Sequence, residues 1–202
     1  MHVSDRFRFV FIHNPKTAGM SIGQALTKAD KENKYSDVEL MHLPIEKVHQ
    51  RFPEVIEKMK EYYTFMVVRN PWTRCISSFS FHSPSVYKRY CESGDLKEYQ
   101  NRFEALLMPV TKSMLLDYYY HPFIRQVDMA YLNGTTYVND FFKFEEIPNC
   151  FDNTQLFHIL KDIGHINQLP MRHTPHEIYT ENLRRKVIEL YSDDFDTFGY
   201  HK

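Results

Sequence analysis

Two short segments of this chain read alike: an apolar, aromatic and β-branched run, a tight polar turn, and then helical periodicity. Residues 7–12 are FRFVFI, the pattern of a buried strand. The run stops at His13-Asn14-Pro15. After Pro15-Lys16-Thr17-Ala18-Gly19, apolar residues at Met20, Ile22, Ala25 and Leu26 take helical spacing. Residues 63–68 are YTFMVV, and Asn70-Pro71 then supplies an N-cap with proline at the first helical position. Strands alternating with helices predict an α/β domain built on a central, mainly parallel sheet flanked by helices. Both turns then fall at the carboxyl edge of the sheet, where such sheets bind ligands.

The remaining chain fits that plan. A polar stretch over residues 30–37 reads as exposed loop, followed by a short segment around His42 and a helix over 45–61 that Pro53 breaks. Residues 80–122, rich in Tyr and charge, read as a helical insertion beside the site, with a helix over 96–107 ended by Pro109. A further strand is expected over 136–144 (TYVNDFFKF), a helix over 152–163 closed by Gly164, and a final helix over 181–191. At 202 residues, the chain fits a single domain spanning 1–202.

Charge decides what kind of partner to expect. Twenty-five basic residues stand against 26 acidic ones, so bulk electrostatics call for neither nucleic acid nor an anionic membrane, and an anion site has to be local. Cys75, Cys91 and Cys150 are odd in number and lack CxxC spacing, which argues against a disulfide framework or a zinc site and for a reducing compartment. The opening apolar run is too short for a signal peptide or a membrane span. A cytoplasmic location is expected, unless a leader or anchor has been removed. The 14 Tyr and 16 Phe read first as core and surface residues, with a groove for a ring-shaped ligand as the alternative use of some of them.

The first turn places Lys16 with Thr17, Gly19 and Ser21 at a helix N-terminus, where unpaired N–H groups and the helix dipole favour a phosphate-like anion. It is shorter than GxxxxGK[ST], and Lys16 precedes its glycine, so it is not a Walker A loop. In the second unit, VVRNPWTRCISSF, Ser77 follows Arg69 by about two helical turns, so a guanidinium fork and a hydroxyl can meet one phosphate. Two anion sites on adjacent strand ends suit a ligand with phosphates at both ends of a ribose. Arg74 reads equally well as an ion-pair partner between helices.

Taken together, FIHNPKTAGMSI resembles the 5'-phosphosulfate loop of sulfotransferases that use 3'-phosphoadenosine 5'-phosphosulfate (PAPS), and VVRNPWTRCISSF resembles their 3'-phosphate motif, RxPxxRxxS. Residues 121–126, FKFEEI and YTENLRRKVIELYSDDFDTFGY are similar to the carbohydrate sulfotransferases of Golgi type and their bacterial relatives. The resemblance implies a P-loop-like three-layer fold, PAPS as donor with PAP as product, and a hydroxyl acceptor, a carbohydrate being expected, with no metal required. It implies that Pro15, Lys16, Thr17, Ala18, Gly19, Met20 and Ser21 hold the 5'-phosphosulfate, with Lys16 offsetting charge on the leaving oxygen. Arg69 and Ser77 would hold the 3'-phosphate. Met20 stands where a second hydroxyl is common, and the RKGxxG segment of the cytosolic enzymes is missing.

A base has to take the acceptor's proton, and histidine titrates near working pH. His42 is the first choice, since relatives often carry a histidine opening the segment after the first helix. His121 and His173 are alternatives on the base or substrate side, Glu145 is another base, and His13 is expected to orient the loop. Arg125, Gln126 and Arg172 are expected to reach substrate. Two other functions compete with this reading. A P-loop-like nucleotide kinase needs a Walker-type Gly-Lys-Ser/Thr and a metal-holding Asp, and neither is seen; a non-catalytic module would keep the nucleotide pocket without the chemistry.

Overall fold

The computed structural model describes residues 1–31, 40–161, 163 and 170–202. Two compact units emerge, one of Met1–Arg69 with Gln126–Ile166, the other of Asn70–Arg125 with Asn167–Lys202. The first unit opens with β1 (His2–Ser4), β2 (Phe9–Ile12), α1 (Gly19–Ala29), α2 (Ile45–Arg51), α3 (Pro53–Glu61) and β3 (Tyr63–Val68). The second begins with α4 (Pro71–His82), α5 (Pro84–Ser93) and α6 (Leu96–Leu107). The chain returns to the first unit with α7 (Gln126–Ala130), β4 (Tyr131–Leu132), β5 (Thr135–Thr136), β6 (Asp140–Lys143) and α8 (Phe157–Leu160), and ends in the second with α9 (Pro175–Ile178) and α10 (Glu181–Phe198). No described helix is long and apolar enough to cross a membrane.

The first unit is the α/β arrangement the sequence predicts. Its sheet has the order β1-β2-β3-β6, with β2, β3 and β6 parallel and β1 antiparallel at the edge. Phe11 stands opposite Phe65, and Val67 opposite Phe142, so alternate side chains share a face. On that face Phe9, Phe11, Phe65 and Val67 pack with Ile22 and Leu26 of α1 and Leu160 of α8. Val10, Ile12, Met66 and Val68 point to the other face and are buried as well, and α3 packs against β2. Burial on both faces explains why these strands read as continuous apolar runs.

The second unit is helical. Cys75 and Phe79 of α4, Tyr99 and Phe103 of α6, and Leu183, Val187, Leu190 and Phe195 of α10 form one core. Asn70 caps α4 by accepting from the Trp72 amide at 3.0 Å, and α6 has the bounds its periodicity predicts.

Several expected elements differ. The strand predicted from residue 7 starts at Phe9, because Arg8 turns left-handed (φ 51°) to join an unforeseen β1 to β2. The strand predicted over 136–144 is two pieces. Asn133 and Gly134, both at positive φ (50° and 79°), make a two-residue hairpin turn that pairs β5 with β4, and pairing with β3 starts only at Asp140. The helix predicted over 152–163 shrinks to α8, preceded by a tight 3-10 turn at Asn149–Phe151; Gly164 lies outside the described residues. The predicted exposed loop over 30–37 falls mostly outside them too, and Asp30 is buried. The final helix runs past Tyr191, whose non-helical backbone (φ -118°) kinks it, to Phe198. Pro53 divides α2 from α3 as expected.

Candidate functional site

Since β2 and β3 are parallel neighbours, the turns after Ile12 and Val68 leave the same edge of the sheet side by side. The first turn holds two non-glycine residues in the left-handed region, Lys16 (φ 65°) and Ala18 (φ 63°). Each costs roughly 1–2 kcal/mol, a strain that recurs where backbone is shaped for a ligand. Left-handed residues alternating with ordinary ones turn successive N–H groups to one side, which makes a concavity for anions. Next, α1 starts with no side-chain cap and no acidic residue in its first turn, so the chain supplies no negative charge of its own there.

Two cations meet over this turn. Arg69, following β3, donates from Nη1 to the Lys16 carbonyl at 3.1 Å, and its guanidinium lies 4.2 Å from the centre of the Phe144 ring. Burial, together with the Arg69 charge, pushes the Lys16 ammonium down to about 8. A cation depressed by a neighbouring cation marks a place where an anion is favoured.

A buried amide holds the two strand ends in register. Gln126 Oε1 accepts from the Arg69 amide, and Gln126 Nε2 donates to the Arg69 carbonyl, both at 2.9 Å. Asn14 Nδ2 donates to Gln126 Oε1 and to the Val67 carbonyl, again at 2.9 Å. Gln126 is 0% exposed, and its amide pairs backbone groups of Arg69 that burial would otherwise leave unsatisfied. Thr17 is likewise buried, donating from Oγ1 to the Asn14 carbonyl at 2.9 Å. Pro15, Gly19 and Ser21 are buried, whereas Met20 is 48% exposed.

His13 lies under the turn. A Cβ on Gly19 would sit 1.9 Å from its ring, so only glycine fits there. Burial, and next the charge of His42, push the His13 imidazole down to about 2, keeping it neutral. His42 packs edge-on against His13 at 4.4 Å, with Nδ1 3.0 Å from the His13 carbonyl. A carbonyl only accepts, so in this contact Nδ1 carries the hydrogen. Glu145, just past β6 beside Phe144, is exposed.

The other predicted residues belong to the second unit. Ser77 is half-buried on α4. Arg125 pairs with Asp193 at 2.7 Å, His121 Nδ1 lies 3.0 Å from the Tyr118 carbonyl, and His173 Nδ1 bonds the Tyr90 hydroxyl at 2.8 Å. Arg172 Nη2 lies 3.5 Å from the Glu92 carbonyl. Arg74 is the buried interhelix pair, 3.6 Å from Asp194, with Nη2 also donating to the Ile124 carbonyl at 2.7 Å.

Asn14 and Phe144 were missed by sequence reasoning. Asn14 sits in the His13-Asn14-Pro15 turn, but nothing local marks it as a bridge; Phe144 opens FEE after a strand and is known only by what lies on it. A model of the sulfotransferase family matches residues 1–201 of the chain. No curated protein and no solved structure matches it.

Proposed function

The chain belongs to the sulfotransferase family, and on that premise we propose that it uses PAPS as donor, with Lys16 and Arg69 on the nucleotide's charged groups and His42 as the base. The observation that carries the reading is the meeting of Lys16 and Arg69 at one sheet edge, over a helix start that the chain leaves uncapped. PAPS supplies an activated sulfuryl group on its 5'-phosphate. The backbone of residues 15–21 wraps that phosphosulfate, and Lys16 meets the charge collecting on the bridging oxygen as its bond to sulfur breaks. Arg69, steadied by Phe144 and the Lys16 carbonyl, takes the 3'-phosphate; Ser77 joins it on the strength of the sequence motif. His42 Nε2 accepts the acceptor's proton as the acceptor oxygen bonds to sulfur, while the bond to His13 keeps the ring in place. Sulfuryl transfer of this kind asks for alignment and charge stabilisation, which these residues are suited to give. The acceptor is a hydroxyl, and the carbohydrate expected from the resemblance is one arm of the test below.

Calorimetry with PAP and with ATP-Mg tests the donor site: PAP is expected to bind and ATP-Mg not to, and indifference to PAP at millimolar concentration would end the reading. In His42→Ala, kcat is expected to fall by about 10²–10⁴ with PAP affinity unchanged. An unaltered kcat would remove His42 as base.

A further inference from the structure

A cavity of about 500 Å³ opens beside the anion turn, within the first unit. His13, Gly19 and Met20 bound it at the turn, and Met41, next to His42, lines it too. Along α1 its wall is a stripe at helical spacing, Met20, Gly23, Gln24, Thr27 and Lys28, followed by Lys31. Met1, His2 and Phe11 complete it from the strands.

Three features suggest that this space is built for a ligand. Glycine inside a helix is about 1 kcal/mol less favourable than alanine, yet a Cβ on Gly23 would meet nothing within 4 Å, so packing does not require the glycine. What the missing side chain leaves is room. His2 is 4% exposed, and its Nε2 has no hydrogen-bond partner, a buried polar atom on the wall that a ligand can satisfy. Finally, the α1 side of the lining runs from apolar to basic: Met20 stands at the turn, and Lys28 stands at the far end of the helix, followed by Lys31. Met20 and Lys28 are eight positions apart, about 12 Å along a helix.

We propose that this cavity is the acceptor pocket and that it takes an amphiphilic alcohol, with its hydroxyl at the turn, an apolar body against Met20, Phe11 and Met41, and an acidic group at Lys28 and Lys31. The inference rests on the donor reading above. A free glycan, polar on every edge, would leave much of the methionine-rich wall without a complement. An unbranched ω-hydroxy acid has the polarity and reach the pocket asks for.

The test uses the full chain with ω-hydroxydecanoate, decyl alcohol and lactose as probes, and PAPS or PAP as nucleotide. Gly23→Leu and Thr27→Phe each fill the cavity from α1, so either can stand in should the other not fold. The expected result is transfer to ω-hydroxydecanoate ahead of lactose, with kcat/KM falling at least about tenfold in the filling variants while PAP affinity stays within about twofold. Lys28→Ala with Lys31→Ala should weaken ω-hydroxydecanoate and leave decyl alcohol unchanged. Preference for lactose would overturn the acceptor class. Intact turnover of every acceptor in both filling variants, with PAP still bound, would overturn the pocket and leave the donor site standing. Absence of PAP binding in the wild type would remove the donor reading and this inference together.

Discussion

Lys16 is the residue on which pH should act most directly. Burial, and next the Arg69 charge, push its ammonium down to about 8, below the usual 10.5. A nucleotide phosphate favours the charged form, so PAP affinity should be full below about pH 8 and fall as pH rises through that value, with uptake of up to one proton per site. Calorimetry in buffers of different ionisation enthalpy measures that proton. Lys16→Met should bind PAP weakly at every pH and lose the slope; a wild-type affinity flat from pH 7 to 9 would contradict the placement of Lys16 at the anion. Gln126 makes a different prediction at this scale. Gln126→Leu strands the Arg69 amide, the Arg69 carbonyl and one Asn14 bond, at about 1–3 kcal/mol for each group left unsatisfied. Both the urea midpoint and PAP affinity should drop, because the strand ends that carry the two cations lose their tie.

At the scale of elements, α4 and α10 of the second unit are joined by Arg74 and Asp194, which are 1% and 0% exposed. Nε and Nη1 of Arg74 have no hydrogen-bond partner, so Asp194 is the charged group that compensates a guanidinium bonded otherwise to the Ile124 carbonyl. Removing one member of a buried pair costs about 3–5 kcal/mol, whereas replacing both with apolar residues is often neutral. Asp194→Ala should therefore lower the thermal midpoint sharply, and Arg74→Met with Asp194→Leu should recover most of it. Equal midpoints for Asp194→Ala and wild type would mean that Arg74 draws its stabilisation from Tyr191, 5.4 Å from its guanidinium, and from the Ile124 carbonyl.

At the scale of the whole molecule, the buried imidazoles of His2 and His13 contribute to the response to acid. Burial pushes His2 down to about 4 and His13 to about 2, against an ordinary value of 6.5. Their folded forms stay neutral while the unfolded chain takes up protons, so unfolding binds more protons as pH falls below about 6.5. Stability from these two groups is complete above that value and declines down to about 4 for His2 and 2 for His13. Urea midpoints should decrease from pH 7 to 5, and His2→Phe, which can keep the stack on Phe9 at 5.8 Å, should flatten part of the decrease. A midpoint that does not move over this range would show that these imidazoles protonate without unfolding the chain.

Sequence alone determined the parts of this protein whose causes are local. The apolar runs of β2 and β3, the Asn70 cap, the break at Pro53 and the bounds of α6 follow from propensity, capping and period within a few residues. The turn of β4–β5 was equally local, since Asn133-Gly134 is a hairpin dipeptide, yet a single long strand hid it. The two strand-end turns were legible for the same reason: Lys16 and Arg69 each lie just past a readable strand. Tertiary structure decided what depends on distant segments meeting. Asn14 and Gln126 are 112 positions apart, and Phe144 reaches Arg69 only because β6 pairs beside β3. No window of sequence reports such a meeting, because the free energy that sets it comes from burying one sheet and satisfying the backbone at its edge.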